Sequence, residues 1–80
     1  MAEPRSAAHV AYGQALRELR GERGISQERL AHLAGLDRTY VSGIERGERN
    51  PSLTNILKLA DVLDVRVSDL AARAETILGK

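Results

Sequence analysis

The hydrophobic positions of the chain recur with the spacing of amphipathic helices over almost its whole length. No segment shows the strict alternation of apolar and polar residues that a half-buried strand requires. Serine or aspartate stands before most of the periodic segments, where its side chain can accept a hydrogen bond from the first helical turn. Glycine follows several of them and can adopt the left-handed conformation that ends a helix. The predicted fold class is therefore all-α, with five short helices.

Capping residues and glycines set the expected helix ends in the N-terminal half. Ser6 begins the first helix, which ends near Gly24. Ser26 begins the second helix, Gly35 follows it, and Asp37 begins the third. Because Gly35 permits a positive φ without a Cβ clash, it suits a tight corner between two helices.

In the C-terminal half, Gly47 ends the third helix and Ser52 begins the fourth. The last helix starts between Arg66 and Ser68 and extends to about residue 78. Apolar residues at helical spacing predict one inward-facing side of the fourth helix, formed by Leu53, Ile56, Leu57, Ala60 and Leu63.

Composition excludes several classes of protein. A chain of 80 residues supports one small core, and the absence of cysteine removes disulfides, thiolate metal sites and cysteine nucleophiles. No apolar run approaches the ~20 residues of a membrane span, and the N-terminus lacks the hydrophobic stretch of a signal peptide, so a cytoplasmic location is expected. The formal net charge is only +1, but all of the 12 basic residues except Lys58 and Lys80 are arginine. Arginine presents a planar fork that suits phosphates and base edges.

The strongest motif lies over residues 26–46. Two helices that cross at a wide angle approach closely near their corner, and the small side chain of Ala31 permits that approach. Gly35 supplies the corner itself. Val41 and Ile44 then bury the back of the third helix and leave its front exposed. The alternative is an ordinary helical bundle in which these small residues fall by chance.

With its flanking segments, this motif resembles the lambda-repressor-like family of helix-turn-helix proteins, also called the XRE or Cro/cI family. The resemblance covers nearly the whole chain except the first few residues and the tail. It implies a five-helix DNA-binding domain over residues 6–80, with the helix-turn-helix at 26–46 and a C-terminal helix at about 67–78, after a flexible segment at 1–5. The segments that carry it are Leu16–Arg20, Gly24–Glu28, Leu30–Ala31, Gly35–Leu36, Val41–Gly47, Arg49–Ser52 and Leu59–Ala60. The stretch Asp37–Arg46 is particularly similar to the stand-alone controller proteins of restriction-modification systems.

In such proteins the third helix lies in the major groove, with its N-terminal part against the base edges. Arg38 can form a bidentate pair with O6 and N7 of guanine, and Thr39 offers a methyl group and a hydroxyl. Gly43 is expected on the same face, where it permits close approach of the helix. A solvated helix face is the alternative. The candidate base-reading residues are Arg38, Thr39, Ser42 and Arg46.

Phosphate contacts are expected from a helix start and from the turn after the third helix. Gln27 stands at the N-terminus of the second helix, where the resemblance implies contact with the DNA backbone. Glu48 lies within this group and must point away from the phosphates or weaken binding. The candidate phosphate-binding residues are Gln27, Tyr40, Arg49, Asn50 and Ser52.

The resemblance also assigns a structural pair. In the repressors that this sequence resembles, an arginine late in the first helix pairs with a glutamate late in the third. Arg20 and Glu45 occupy these positions. They are expected to hold the third helix on the scaffold rather than to touch DNA.

A homodimer follows from the short reach of one unit. One helix-turn-helix reads only about 4–6 base pairs, so such modules commonly bind two half-sites one helical turn apart. The last helix carries an apolar stripe that is expected at the dimer interface, although it can also close the core of a monomer. The residues of this stripe are Leu70, Ala74, Ile77 and Leu78.

The predicted function is a sequence-specific, double-stranded DNA-binding transcriptional regulator. It acts as a homodimer on a short palindromic operator and is autoregulatory if it is of the restriction-modification controller type. An antitoxin, which binds both its operator and a toxin subunit, is the alternative among DNA-binding proteins, and a helical protein–protein adaptor is the alternative outside that class. No metal is predicted, because His9 and His32 stand alone on different helices without cysteine. No enzyme activity or cofactor is predicted, because the serines have no histidine base near them in sequence and no Gly-rich phosphate loop follows a strand.

Overall fold

The computed structural model describes residues 6–79 and contains, within that range, five helices and no strand. This confirms the predicted all-α fold. The segment 1–5 lies outside the described residues, and the assignment of a single domain to residues 6–80 stays a prediction. Among residues 6–79, no helix combines the length and apolar character that crossing a membrane requires. The helices are α1 (Ala7–Glu22), α2 (Gln27–Ala34), α3 (Arg38–Glu45), α4 (Leu53–Val62) and α5 (Val67–Ile77).

Local sequence signals define the starts of all five helices. The side chain that precedes each of the first four accepts a hydrogen bond from a backbone N–H of the first turn. The fifth helix begins differently, because the carboxylate of Asp69 accepts from the backbone N–H of Arg66 at 2.9 Å. The four capping residues are those predicted, Ser6, Ser26, Asp37 and Ser52.

Each helix contributes a fully buried aliphatic side chain to one core. α5 packs along α1, and α2 packs against both α3 and α4. Burial of each such side chain stabilises the fold by about 1.5–3 kcal/mol relative to its exposure to water. The five residues, one from each helix in chain order, are Leu16, Leu30, Val41, Leu59 and Leu70.

The apolar stripe of α5 lies mainly inside the chain itself. Leu70 is 2% exposed and Ala74 is 3% exposed, and both belong to the core. They cannot meet a second copy, so the predicted dimer interface is wrong for these two residues. The physical reason is that α5 lies along α1, which covers the stripe. Ile77 and Leu78 are half-buried against the same core, and their place at an interface stays a prediction.

α4 also differs from the expectation. Leu59, Ala60 and Leu63 face the core, but Leu53 is 67% exposed and Leu57 is 52% exposed. These two leucines are one turn apart, so they form an apolar surface on the outside of α4.

Gly13 determines how closely α1 approaches α3. A Cβ atom at this position would lie 2.2 Å from the carbonyl oxygen of Ile44 and 2.7 Å from that of Glu45. Both atoms belong to the backbone and cannot rotate away. The last turn of α3 therefore rests directly on the backbone of α1.

Candidate nucleic-acid interface

α3 has one buried side and one exposed side. Val41 and Ile44 are 0% and 2% exposed and anchor the helix in the core. Arg38 and Thr39, in the first turn, are exposed, and Ser42 is partly exposed one turn later. The structure thus places three of the four predicted base-reading side chains on the side of α3 that the protein does not cover.

The corner between α2 and α3 orients the exposed side. Gly35 has φ +69°, in the left-handed region, and the next backbone N–H, that of Leu36, donates to the carbonyl of Ala31 at 2.9 Å. This closes α2 with the glycine-dependent hydrogen bond that ends many helices. Asp37 then caps α3 by accepting from the backbone N–H of Thr39 at 2.8 Å. The glycine motif that ends α2 and the Asp37 cap that begins α3 together fix the direction in which α3 starts.

The predicted pair between Arg20 and Glu45 is present and is nearly enclosed. Arg20 donates through Nε to Oε2 at 2.7 Å and through Nη2 to Oε1 at 3.0 Å, and the Glu45 side chain is 2% exposed. A third donor of Arg20 reaches the carbonyl of Ile25 at 2.9 Å. The hydrogen bond to Glu45 raises the pKa of Arg20 above its ordinary value. The pair therefore fixes the C-terminal end of α3 to α1 in a charged, hydrogen-bonded state.

Gln27 belongs to the same network. Its side-chain amide donates to Oε1 of Glu45 at 2.9 Å. A carboxylate only accepts, so the donor must be the amide nitrogen, which retains a second hydrogen. The predicted phosphate ligand at the start of α2 is thus held in place by the scaffold pair.

The turn after α3 also carries an ion pair. Arg46 donates through Nη1 to the hydroxyl of Ser42, and its Nε and Nη2 each lie 3.1 Å from Oε1 of Glu48. Ser42 and Arg46 were predicted to read bases, and Glu48 was expected to point away from the phosphates or to weaken binding. The structure shows the three side chains joined.

Gly43 was expected on the open face of α3, but the structure places it elsewhere. It is buried, because the side chain of Arg49 lies across it: a Cβ on Gly43 would be 2.5 Å from Cγ of Arg49. The backbone N–H groups of Glu48 and Arg49 both donate to the carbonyl of Gly43, at 2.8 and 3.2 Å. Gly43 therefore accommodates the turn that folds back over α3.

The remaining predicted phosphate ligands lie between α3 and α4. The hydroxyl of Tyr40 accepts from the side-chain amide of Asn55 at 3.1 Å, and the hydroxyl of Ser52 accepts from the backbone N–H of Asn55 at 3.1 Å. The hydrogens of both hydroxyls remain available as donors. Asn50 is exposed in the preceding turn. Asn55, which was not predicted from the sequence, connects Tyr40 to α4. Its position in the first turn after Ser52 was the available signal.

Within residues 6–79, the structure contains no group of three or more histidine, cysteine, aspartate or glutamate side chains that could hold a metal ion.

Comparisons with known proteins agree with the geometry. A family model described as helix-turn-helix matches residues 16–70. Control protein C.BamHI from Bacillus amyloliquefaciens is 48% identical over 60 residues, which are 74% of this chain and 74% of that protein. The immunity repressor protein of Bacillus phage phi105 is 38% identical over 66 residues, which are 82% of this chain and 45% of that protein.

Solved structures give the same result. The crystal structure of the restriction-modification controller protein C.AhdI from Aeromonas hydrophila superposes with a TM-score of 0.80 at 60% identity. The match covers 81% of this chain and 98% of that one. The chain therefore belongs to the lambda-repressor-like (XRE, Cro/cI) family of helix-turn-helix proteins, and control proteins of restriction-modification systems are among its relatives.

Proposed function

We propose that this chain is a sequence-specific regulator of transcription that binds double-stranded DNA through α3. The observation that carries the proposal is the two-sided character of that helix. Val41 and Ile44 anchor its inner side, and Arg38 and Thr39 stand on the outer side, next to the corner at Gly35. A helix exposed in this way fits the major groove of B-form DNA, which is about 12 Å wide.

The exposed side chains have two chemical roles. Arg38 pairs with a guanine edge, Thr39 and Ser42 contact neighbouring bases, and Arg46 acts at the far end of the helix. The phosphate ligands surround this surface and position α3 without reading sequence. They are Gln27, Tyr40, Arg49, Asn50 and Ser52.

The regulator acts as a homodimer on a short palindromic operator. Two half-sites on DNA are about 34 Å apart, and the longest dimension of the chain is 30 Å, which is of the same order as this spacing. Leu53 and Leu57 on α4 are the contact surface that supports this arrangement, because they are apolar and exposed. Asn55 of the same helix bonds to Tyr40 of α3 and is two residues from each leucine, so the leucines face away from that contact with α3.

The likeness to control proteins supports a restriction-modification controller that regulates its own gene. Occupancy of an operator by such a homodimer depends steeply on protein concentration when two chains must assemble on one site. Such a regulator responds to its own accumulation.

Selection of bound duplexes from a random pool tests the DNA-binding proposal. We expect enrichment of a two-part sequence with an approximate twofold repeat, and binding of the selected duplex at least about a thousandfold tighter than that of a scrambled one. Equal affinity for the selected and scrambled duplexes would contradict it.

Sedimentation tests the dimer. The double variant Leu53→Gln, Leu57→Gln is expected to sediment as a monomer at concentrations where the wild-type chain is dimeric. Leu33→Gln, at a leucine of α2 that is 49% exposed, serves as the control and is expected to remain dimeric. A double variant as dimeric as the wild type would contradict the interface, and a wild-type chain that stays monomeric on its selected duplex would contradict the dimer.

A further inference from the structure

A carboxylate lies among the side chains that face DNA in the proposed complex. Oε1 of Glu48 is 3.1 Å from both Nε and Nη2 of Arg46, and Nη1 of Arg46 bonds to the hydroxyl of Ser42. All three nitrogens of this guanidinium therefore already have an acceptor. The Arg46 side chain is 52% exposed and that of Glu48 is 40% exposed, so solvent and DNA can both reach the pair.

Backbone hydrogen bonds fix the segment that carries this carboxylate. The N–H of Glu48 donates to the carbonyl of Gly43 at 2.8 Å, and the neighbouring N–H of Arg49 donates to the same oxygen at 3.2 Å. Gly47, with φ +76°, makes the reversal, and a Cβ there would lie 2.9 Å from Cα of Val10. Glu48 is therefore attached to a turn that is fixed against α3 and α1.

An ion pair with this exposure contributes little to folding stability. Its effect on DNA binding is larger, because non-specific affinity depends on how many phosphates the protein neutralises. An arginine held by a carboxylate and a serine hydroxyl is less available to a phosphate than a free arginine. Since a phosphate is present at every base step, this restraint weakens binding to all sequences alike.

We infer that Glu48 is a specificity-determining residue that restrains Arg46 from contacting phosphates on non-specific DNA. The inference rests on the proposed function. On the operator, Arg46 is directed towards the bases beside Ser42. The pair with Glu48 therefore lowers the affinity for the operator only slightly. On any other sequence, the pair with Glu48 removes one phosphate contact and leaves a negative charge near the DNA backbone. The residue thus widens the difference between operator and non-operator binding.

The test is Glu48→Gln, which retains the size of the side chain and removes its charge. Binding is measured on a scrambled duplex and on a duplex selected by the wild-type chain, at several salt concentrations. On the scrambled duplex we expect tighter binding and a log–log salt slope steeper by about 0.9, the value of one phosphate contact. The factor by which affinity falls between about 50 and about 200 mM salt is then about 3.5 times larger than for the wild type. On the selected duplex the gain is smaller, so the specificity ratio falls.

Two further measurements test whether the change in salt slope arises from the pair between Glu48 and Arg46. Glu75→Gln removes an exposed carboxylate of α5 and is expected to leave the slope unchanged. In an Arg46→Gln background, Glu48→Gln is expected to lose most of its effect on the slope. The inference is overturned if Glu48→Gln behaves like Glu75→Gln, or if its effect persists undiminished without Arg46. A wild-type chain that binds no duplex would instead overturn the proposed function itself.

Discussion

Arg20 and Glu45 form a bidentate ion pair across the junction of α1 and α3, with Nε–Oε2 at 2.7 Å and Nη2–Oε1 at 3.0 Å. Around this pair, the carbonyl of Ile25 accepts from Arg20 and the amide of Gln27 donates to Glu45. The network therefore joins the end of α3 to α1 and to the start of α2.

Arg20→Ala is expected to destabilise the fold by about 3 kcal/mol, because it leaves the Glu45 carboxylate buried without its cation. For a domain of this size, that loss lowers the thermal midpoint by more than about 10 °C. The measurement is thermal unfolding followed by circular dichroism. Arg17→Ala, an exposed arginine on the same helix, is the matched control and should change the midpoint little. An unchanged midpoint for Arg20→Ala would show that the pair has no structural role.

Two glycines of α1 are predicted to respond in opposite directions to the same substitution. Gly13→Ala places a methyl group 2.2 Å from the carbonyl oxygen of Ile44 and must separate α1 from α3, at a cost of about 2 kcal/mol or more. No atom lies within 4 Å of a Cβ at Gly21, so Gly21→Ala should stabilise the chain by about 0.5–1 kcal/mol through helix propensity. Urea unfolding measures both. A stabilising Gly13→Ala would contradict the close contact of the two helices.

The link between α1 and α5 is predicted to depend on pH. Arg73 donates through Nη1 to Glu22 at 2.7 Å and to Glu18 at 3.1 Å, and its hydrogen bond lowers the pKa of Glu22 below its ordinary 4.5. Since the pKa is lower in the folded chain than in the unfolded one, this carboxylate stabilises the fold above the ordinary pKa. The contribution disappears as the pH falls through the folded pKa.

Glu22→Gln should therefore be less stable than the wild type at about pH 7, and the difference should vanish at about pH 2. Urea unfolding at both pH values measures it, with Glu75→Gln as the control. A difference that is the same at both pH values would mean that the charge of Glu22 is not responsible.

Gly43→Ala separates folding from DNA binding. The added methyl group displaces the Arg49 side chain, whose Cγ would be 2.5 Å away, and leaves the buried side of α3 intact. We expect unchanged or slightly higher stability, because alanine favours a helix, but weaker binding to every duplex. In an Arg49→Ala background the same substitution should have no further effect on binding. Additive losses would show that Gly43 does not act through Arg49.

The five helices were predictable because their signals are local. A side chain such as Ser26 or Asp37 caps the helix that follows it directly, and Gly35 forms a corner that needs no distant partner. The pair between Arg20 and Glu45 is not local, and it was expected only because the sequence resembles a family in which both positions are paired.

The remaining contacts depend on where distant segments meet. An apolar stripe such as that of Leu70 and Ala74 has the same composition whether its own chain or a second copy covers it, so the sequence could not distinguish the two. The position of Arg49 over Gly43 depends on a turn that folds back onto α3. Helical spacing alone cannot describe such a turn.

We propose that the exposed side of α3 reads DNA sequence, and salt-dependent binding of Arg38→Ala and Arg49→Ala tests this most directly. We expect Arg38→Ala to weaken binding to the selected duplex by about 1–3 kcal/mol and to leave binding to a scrambled duplex nearly unchanged. Arg49→Ala should weaken both duplexes alike and reduce the salt slope by about 1. Equal losses on the two duplexes for Arg38→Ala would contradict the account.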